Sequence, residues 1–232
     1  MHWFVAQHVQ DSQALLSESE SHHALKVLRL KSGTPIVVID GLGNGWHAVI
    51  MGSNGKQVSC TLASALPAQK QPTLSIAMAP TKQIDRTEWF AEKATEIGVN
   101  HLYFFTSKNS ERKQLRLDRL EKVVIAAAKQ SQRTYIPRVH GLLTFEDVLQ
   151  LPHDKLLAWC GENERPEQHV KDAFDDIDNP LVIIGPEGDF NYEEVNFAKE
   201  QQCQIVGLGD ARLRTETAGV FVAATHQLIS NT

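Results

Sequence analysis

Hydrophobic and polar positions follow two different rhythms along this chain. In the first part, short apolar runs at Pro35 to Ile39, Gly45 to Ile50 and Gln57 to Leu62 are separated by the turn-rich stretches Asp40 to Gly45 and Gly52 to Gly55. Runs of this length bounded by Gly, Asn and Asp predict strands joined by tight turns, and hence a small β-barrel or sheet. Gly41, Gly43 and Gly45 lack the spacing of a dinucleotide-binding loop and no strand-helix-strand unit follows them, so a hairpin turn is expected there. Ala65 to Pro72, with prolines at Pro67 and Pro72, reads as a linker. A boundary near residue 70 would divide the chain into a domain over 1–70 and another over 71–232.

Beyond that boundary, strands alternate with helices. Leu74 to Ala79 predicts a strand. Asp85 with Glu88 has the spacing of a capping box, opening a helix that sets Trp89, Lys93 and Ile97 on one stripe and stops at Gly98. His101 to Thr106 is the next strand, and Leu117 to Gln132 a helix that turns Leu120, Val123, Val124 and Ala127 inward and Arg116, Arg119 and Lys122 outward. Lys155 to Cys160, Leu181 to Gly185 and Gln204 to Leu208 supply further strands. Asn191 with Glu194 caps the helix between the last two, and a final helix runs from about Glu216 to Ile229. Alternation of this kind predicts an α/β domain with a mostly parallel sheet.

A length of 232 residues with 42% hydrophobic content is enough to build a core in one large domain or two small ones. Met1 to Val5 lacks a basic segment leading into a sustained apolar stretch, and no run approaches membrane-spanning length, which implies a cytoplasmic protein without membrane attachment. Cys60, Cys160 and Cys203 are far apart among apolar or small residues and read as buried, reduced thiols. None of the ten histidines has a ligand-spaced partner, so no metal site is assigned. The net charge of −5 argues against a polyanion partner until its distribution is considered. Nine basic residues against three acidic ones between Lys108 and Arg138 make an island of +6 in a remainder of −11, and Lys26, Arg29 and Lys31 form a second cluster with no acid between Ser21 and Ile39. Local positive patches suit a phosphate backbone, whose neutralisation releases counterions. The plainer alternative for a charged helix is a solvated face.

The two most informative segments are IIGPEGDF, Ile183 to Phe190, and GLGDARLRTETAG, Gly207 to Gly219, each directly after a short apolar run. Ligands of open α/β sheets collect at the carboxyl ends of strands, where glycine allows close backbone approach. With SHHALKVLRLKSG (Ser21 to Gly33), EKATEIGV (Glu92 to Val99) and AAKQSQRTYIP (Ala127 to Pro137), these segments resemble, in order and over nearly the whole chain, the knotted (SPOUT) RNA methyltransferases, and among them the family that methylates N3 of a uridine in small-subunit ribosomal RNA. That family usually has a second Gly where this chain has Asp189, and a Pro-Arg-Ile-like stretch in place of Ala211 to Leu213.

The resemblance implies an amino-terminal, β-rich PUA-like RNA-binding domain, a knotted methyltransferase domain with its last segment threaded through a loop, S-adenosylmethionine as cofactor, and a homodimer acting on ribosomal RNA or the small subunit. Threading cannot be read from periodicity, since knots are rare. S-Adenosylmethionine carries no phosphate, so it suits apolar walls and backbone groups. The expected cofactor residues are Ile184, Gly185, Pro186, Glu187 and Gly188 on one lip, Leu208, Gly209, Leu213, Thr215, Thr217 and Ala218 on the other, and Glu162 on a third side. The plainer roles for Glu187 and Thr215 are a solvated turn residue and a helix cap. Methylation at uridine N3 removes a proton and leaves charge shared with two carbonyl oxygens. Arg214 is the candidate to hold that charge in a planar fork, with Glu216 to orient the ring or take the proton. RNA contacts are expected at His22, His23, Arg29, Lys31, Arg116, Arg119, Lys122, Gln130, Arg133 and Arg138. Two other readings stand beside this one: a non-catalytic RNA-binding protein, and a related enzyme that modifies a ribose or another base.

Overall fold

A computed structural model describes residues 1–161, 165–175 and 177–230, which form two compact units. In the first, β1 (Trp3–Gln10), β2 (Gln13–Leu16), β3 (Pro35–Ile39), β4 (Gly45–Ser53) and β5 (Val58–Ala65) close into a barrel in the order β1-β2-β5-β4-β3. All pairs are antiparallel except β1 with β3. Closure leaves no unpaired strand edge, and Phe4, Leu16, Ile36, Val38, Ile50 and Val58 fill the interior. α1 (Glu18–His22) and a π-helical turn at His23–Val27 lie between β2 and β3.

A single cut near residue 70 misses part of this unit, because Ile125–Ile136 packs with Met1–Gln71. Polar contacts hold the excursion in place. Lys129 pairs with Glu20 at 2.7 Å, the Gln69 carboxamide accepts the Thr134 N–H at 2.9 Å, and Ile136 N–H donates to the Gly41 carbonyl at 3.0 Å.

The second unit is built on a six-stranded sheet of order β11-β9-β10-β6-β7-β8, from β6 (Ser75–Met78), β7 (His101–Thr106), β8 (Arg138–Thr144), β9 (Asp154–Ala158), β10 (Pro180–Ile184) and β11 (Gln204–Val206). Every pairing is parallel. All five residues of β10 are buried, as expected for a central strand covered on both faces. The helices are α2 (Ile84–Ile97), α3 (Leu117–Gln130), α4 (Phe145–Leu149), α5 (Val170–Ala173), α6 (Tyr192–Glu200) and α7 (Thr215–Ser230). α2 and α7 pack together, and Gly219 lies so close to the Phe90 ring that a Cβ would not fit.

Two helix starts differ in an informative way. The capping box expected at Asn191 forms, with Asn191 and Glu194 exchanging side-chain-to-backbone bonds. The one expected at Asp85 does not: α2 begins at Ile84 after Gln83, and the Glu88 carboxylate is taken by Arg119. The stripe of Trp89, Lys93 and Ile97 is not the covered face of α2, which instead buries Thr87, Phe90, Ala91, Ala94 and Thr95.

Candidate functional site

Because every strand of the sheet runs the same way, the ends of β9, β10 and β11 open on one edge, where parallel sheets place their ligands. A cleft of about 750 Å³ lies there. Ile184, Gly185, Pro186, Glu187 and Gly188 line it from the loop after β10. Leu208, Gly209, Leu213, Arg214, Thr215 and Ala218 line it from the loop after β11 and the start of α7. Glu162 lies outside the described residues.

The loop after β10 is fastened by side chains. The Glu187 carboxylate accepts the Lys82 N–H at 2.9 Å, so this exposed turn residue also anchors its loop to the segment after β6. Arg112 holds that same segment, donating to the carbonyls of Thr81 at 3.0 Å and Lys82 at 2.6 Å. The Asn109 carboxamide donates to the carbonyls of Gly188 and Asp189 at 3.2 and 3.0 Å. A Cβ on Gly185 would stand 2.9 Å from the Phe190 ring, and one on Gly188 3.1 Å from the Asn109 Cβ, so both glycines are places of close approach. Asp189 sits at φ +58 with its side chain bonded to the backbone N–H groups of Phe190 and Cys160. Burial pushes its carboxyl above the usual range.

The loop after β11 is more open. Gly209 has φ +106, and Asp210, Ala211, Arg212 and Arg214 are exposed. One side-chain tie joins the two walls: the Thr215 hydroxyl donates to the Gly185 carbonyl at 3.1 Å. Thr215 is thus the first residue of α7 and a link between loops, and its hydroxyl is not used as a helix cap.

The expected pairing of Arg214 with Glu216 is not formed. Glu216 is buried in the first turn of α7, with Oε1 3.6 Å from the Arg86 Nε and Oε2 without a hydrogen-bond partner. One helical turn places positions i and i+2 on different faces, so Arg214 lines the cleft while Glu216 faces α2. Thr217 is exposed and, like Glu216, does not line the cleft.

Sequence reasoning missed Asn109, Trp159, Cys160, Asp189 and Tyr192 as lining residues. Cys160, expected to be buried, is exposed at the end of β9, while Cys60 and Cys203 are buried and their thiols are pushed up to about 11 and about 12 by that burial. Tyr192 opens α6 with its ring half-exposed and edge-on to Trp159, at 5.4 Å between centroids and 81°. Among the described residues no three His, Cys, Asp or Glu side chains are placed to hold a metal ion, and no helix is long and apolar enough to cross a membrane.

The basic island is divided between the two units, and four of its cations have acidic partners. Arg116 pairs with Asp118, Arg119 with Glu88, Lys108 with Glu193 and Lys129 with Glu20. Gln130 and Arg133 belong to the first unit, Arg116, Arg119, Lys122 and Arg138 to the second. Gln130 is exposed, Arg133 half-buried, and Lys113, Lys122 and Arg138 are exposed. In the first unit His22, Lys26, Arg29 and Lys31 are exposed, with Arg29 at φ +53. His23 instead packs edge-on against the core ring of Phe4 at 6.1 Å.

Residues 68–227 match the model of the RNA methyltransferase domain and residues 16–63 that of the RNA methyltransferase PUA domain. The chain is 28% identical over 232 residues to the Ribosomal RNA small subunit methyltransferase E of Mesomycoplasma hyopneumoniae, covering 96% of this chain and 97% of that one. A crystal structure of a probable rRNA-methyltransferase from Porphyromonas gingivalis superposes with a TM-score of 0.84 and 33% identity, covering 99% and 100% of the two chains. The fold is shared with the Ribosomal RNA small subunit methyltransferase E of Neisseria gonorrhoeae, solved bound to S-adenosyl methionine, at a TM-score of 0.82 and 24% identity over 99% and 98% of the chains.

Proposed function

The chain belongs to the RNA methyltransferase family, and on that premise we propose that it transfers the methyl group of S-adenosylmethionine to N3 of a uridine in small-subunit ribosomal RNA. The observation that carries this reading is the cleft at three parallel strand ends, one wall of which is pinned and glycine-lined while the other presents Arg214. The lining suits the cofactor: Ile184, Leu208, Leu213 and Ala218 offer apolar surface, and the backbone of Gly185, Gly188 and Gly209 can approach a ligand closely. When bound, S-adenosylmethionine supplies an electrophilic methyl on its sulfonium.

The protein's own task is to hold a uracil whose N3 proton passes to solvent water as the methyl group is taken up. Arg214, exposed into the cleft, is the planar cation that stabilises the resulting charge. Glu216 is turned toward Arg86, so its part on this reading is to set the start of α7. A base methylated at N3 must be unpaired, since N3 lies on its Watson–Crick edge, and a base presented in this way can be held by aromatic stacking. Tyr192 at the cleft offers that surface. The barrel, with Lys26, Arg29 and Lys31 exposed, contributes phosphate contacts, and a ribosomal substrate places the activity in the cytoplasm.

The family resemblance also supports two structural proposals: that the segment ending in α7 is threaded as a trefoil knot, and that two copies form a homodimer. For the second, α7 leaves Phe221 and Leu228 exposed and α2 leaves Trp89 exposed, large apolar side chains that a second subunit would cover. Calorimetry with S-adenosylmethionine in the presence of a chelator tests the reading. Binding to one site per chain is expected, and no binding of the cofactor or its demethylated product would refute it.

A further inference from the structure

Asp189 occupies a backbone conformation that suits glycine, at φ +58, yet carries a carboxylate there. Both oxygens of that carboxylate are used. Oδ1 accepts the Phe190 N–H at 2.8 Å, within its own loop, and Oδ2 accepts the Cys160 N–H at 3.3 Å, on the neighbouring strand end. The ladder between β9 and β10 stops at Ala158 and Ile184, so the second bond joins the two chains beyond the last rung of the sheet. Trp159, Cys160 and Gly161 line the cleft from this extension. Among the described residues, three charged or titratable groups face the carboxylate: Arg212 from the loop after β11, Glu194 from α6 and the Cys160 thiol from the end of β9. Glu194 is committed to the cap of α6 and to the Lys108 N–H.

We propose that ionised Asp189 is a positioning residue of the cleft, a latch that ties the end of β9 to the loop after β10 and sets the Trp159–Cys160 wall for an adenosine-bearing ligand. The identity of that ligand rests on the methyltransferase reading. Burial raises the carboxyl above its ordinary range, with the two N–H bonds and Arg212 opposing. The ionised, latched form is therefore lost at a higher pH than for a solvated carboxylate. Ligand affinity should fall with falling pH, starting above the usual carboxylate range near 4.

The test is calorimetric affinity for S-adenosylmethionine and its demethylated product from pH 4.5 to 8, on the parent, Asp189→Asn and Asp189→Gly. Glycine relieves the backbone strain at φ +58, which offsets its larger unfolded-state entropy, so Asp189→Gly should still fold. It removes both bonds, and at pH 7.5 its affinity should drop by about tenfold, the equivalent of one hydrogen bond. Asp189→Asn keeps one amide oxygen as an acceptor and should lie between, with a flat profile in the acid range where the parent's affinity declines. Parent-like affinity in Asp189→Gly at pH 7.5, or an acid decline in Asp189→Asn that superposes on the parent's, would overturn the proposal. A parent that binds neither compound at any pH would sink the methyltransferase reading instead. The latch is then tested by amide exchange at Cys160, which should quicken in Asp189→Gly, and unchanged exchange would overturn it.

Discussion

The loop after β10 and the loop after β11 wall the same cleft, yet they are held very differently. In the first, Glu187, Asp189 and Asn109 each commit a side chain to a backbone group, and two glycines are packed too tightly to accept a Cβ without displacement. In the second, Gly209 turns in an open setting, Arg212 and Arg214 are exposed, and the ties are a Thr215 hydroxyl at one end and an exposed Arg165–Asp210 pair at the rim. A wall fixed before the ligand arrives loses little entropy on binding. A looser wall that carries the catalytic cation can adjust to an RNA base. The difference assigns cofactor affinity mainly to the first loop and rate to the second.

Gly188→Val should break the comparison most severely. A branched side chain there meets the Asn109 Cβ from which even a single carbon would be 3.1 Å away, and calorimetric binding of S-adenosylmethionine should be lost. Retained affinity would mean that this wall is not the fixed one. Arg214→Lys keeps the charge but not the planar fork. Single-turnover methylation should slow by about 10²-fold or more, the scale of losing one preorganised donor, with cofactor affinity little changed. A rate within a few-fold of the parent would remove Arg214 from the chemistry.

Tyr192→Ala separates substrate from cofactor. Stacking of a base on an aromatic ring makes a difference of about 5- to 150-fold, which should appear in kcat/KM for RNA, with recovery in Tyr192→Phe and unchanged cofactor binding. Loss of cofactor affinity in Tyr192→Ala would move the ring to the other ligand. Asn109→Ala should weaken cofactor binding by only a few-fold, since what it removes is one neutral amide group shared between the Gly188 and Asp189 carbonyls. Arg165→Ala should have the smallest effect, because its ion pair with Asp210 is exposed on both sides.

The same contrast explains what could be read from the residues alone. Both loops were legible because glycine-rich segments follow apolar runs, and the central strands were legible because burial on both faces makes them continuous. β1 and β2 gave no such signal: Gln7, His8 and Gln10 interrupt β1, of which only Phe4 is fully buried. β8 is an edge strand, half-buried between its exposed ends Arg138 and Thr144, and its pattern does not alternate. The ties that fix the first loop come from positions far away in the chain, Asn109 being 79 residues from Gly188, and local spacing carries no trace of them. The Asp85 capping box failed for a related reason, as a distant Arg119 claims Glu88. Charge was misleading in the same way, because a net count over Lys108 to Arg138 cannot reveal that Arg116, Arg119, Lys108 and Lys129 already have acidic partners. The salt dependence of RNA binding should accordingly change less for Arg116→Ala or Arg119→Ala than for Lys122→Ala, each full phosphate contact being worth about 0.7 to 0.9 in the log–log slope.

The central claim is that this cleft places a uridine N3 against the methyl of S-adenosylmethionine. Its most direct test is nucleoside mass spectrometry of small-subunit ribosomal RNA, and of assembled subunits, after incubation with the purified protein and cofactor. The account predicts 3-methyluridine, formed with an equal amount of demethylated cofactor and abolished in Gly188→Val. A methyl group on a ribose or on another base, or RNA left unmodified by a protein that binds the cofactor, would contradict it.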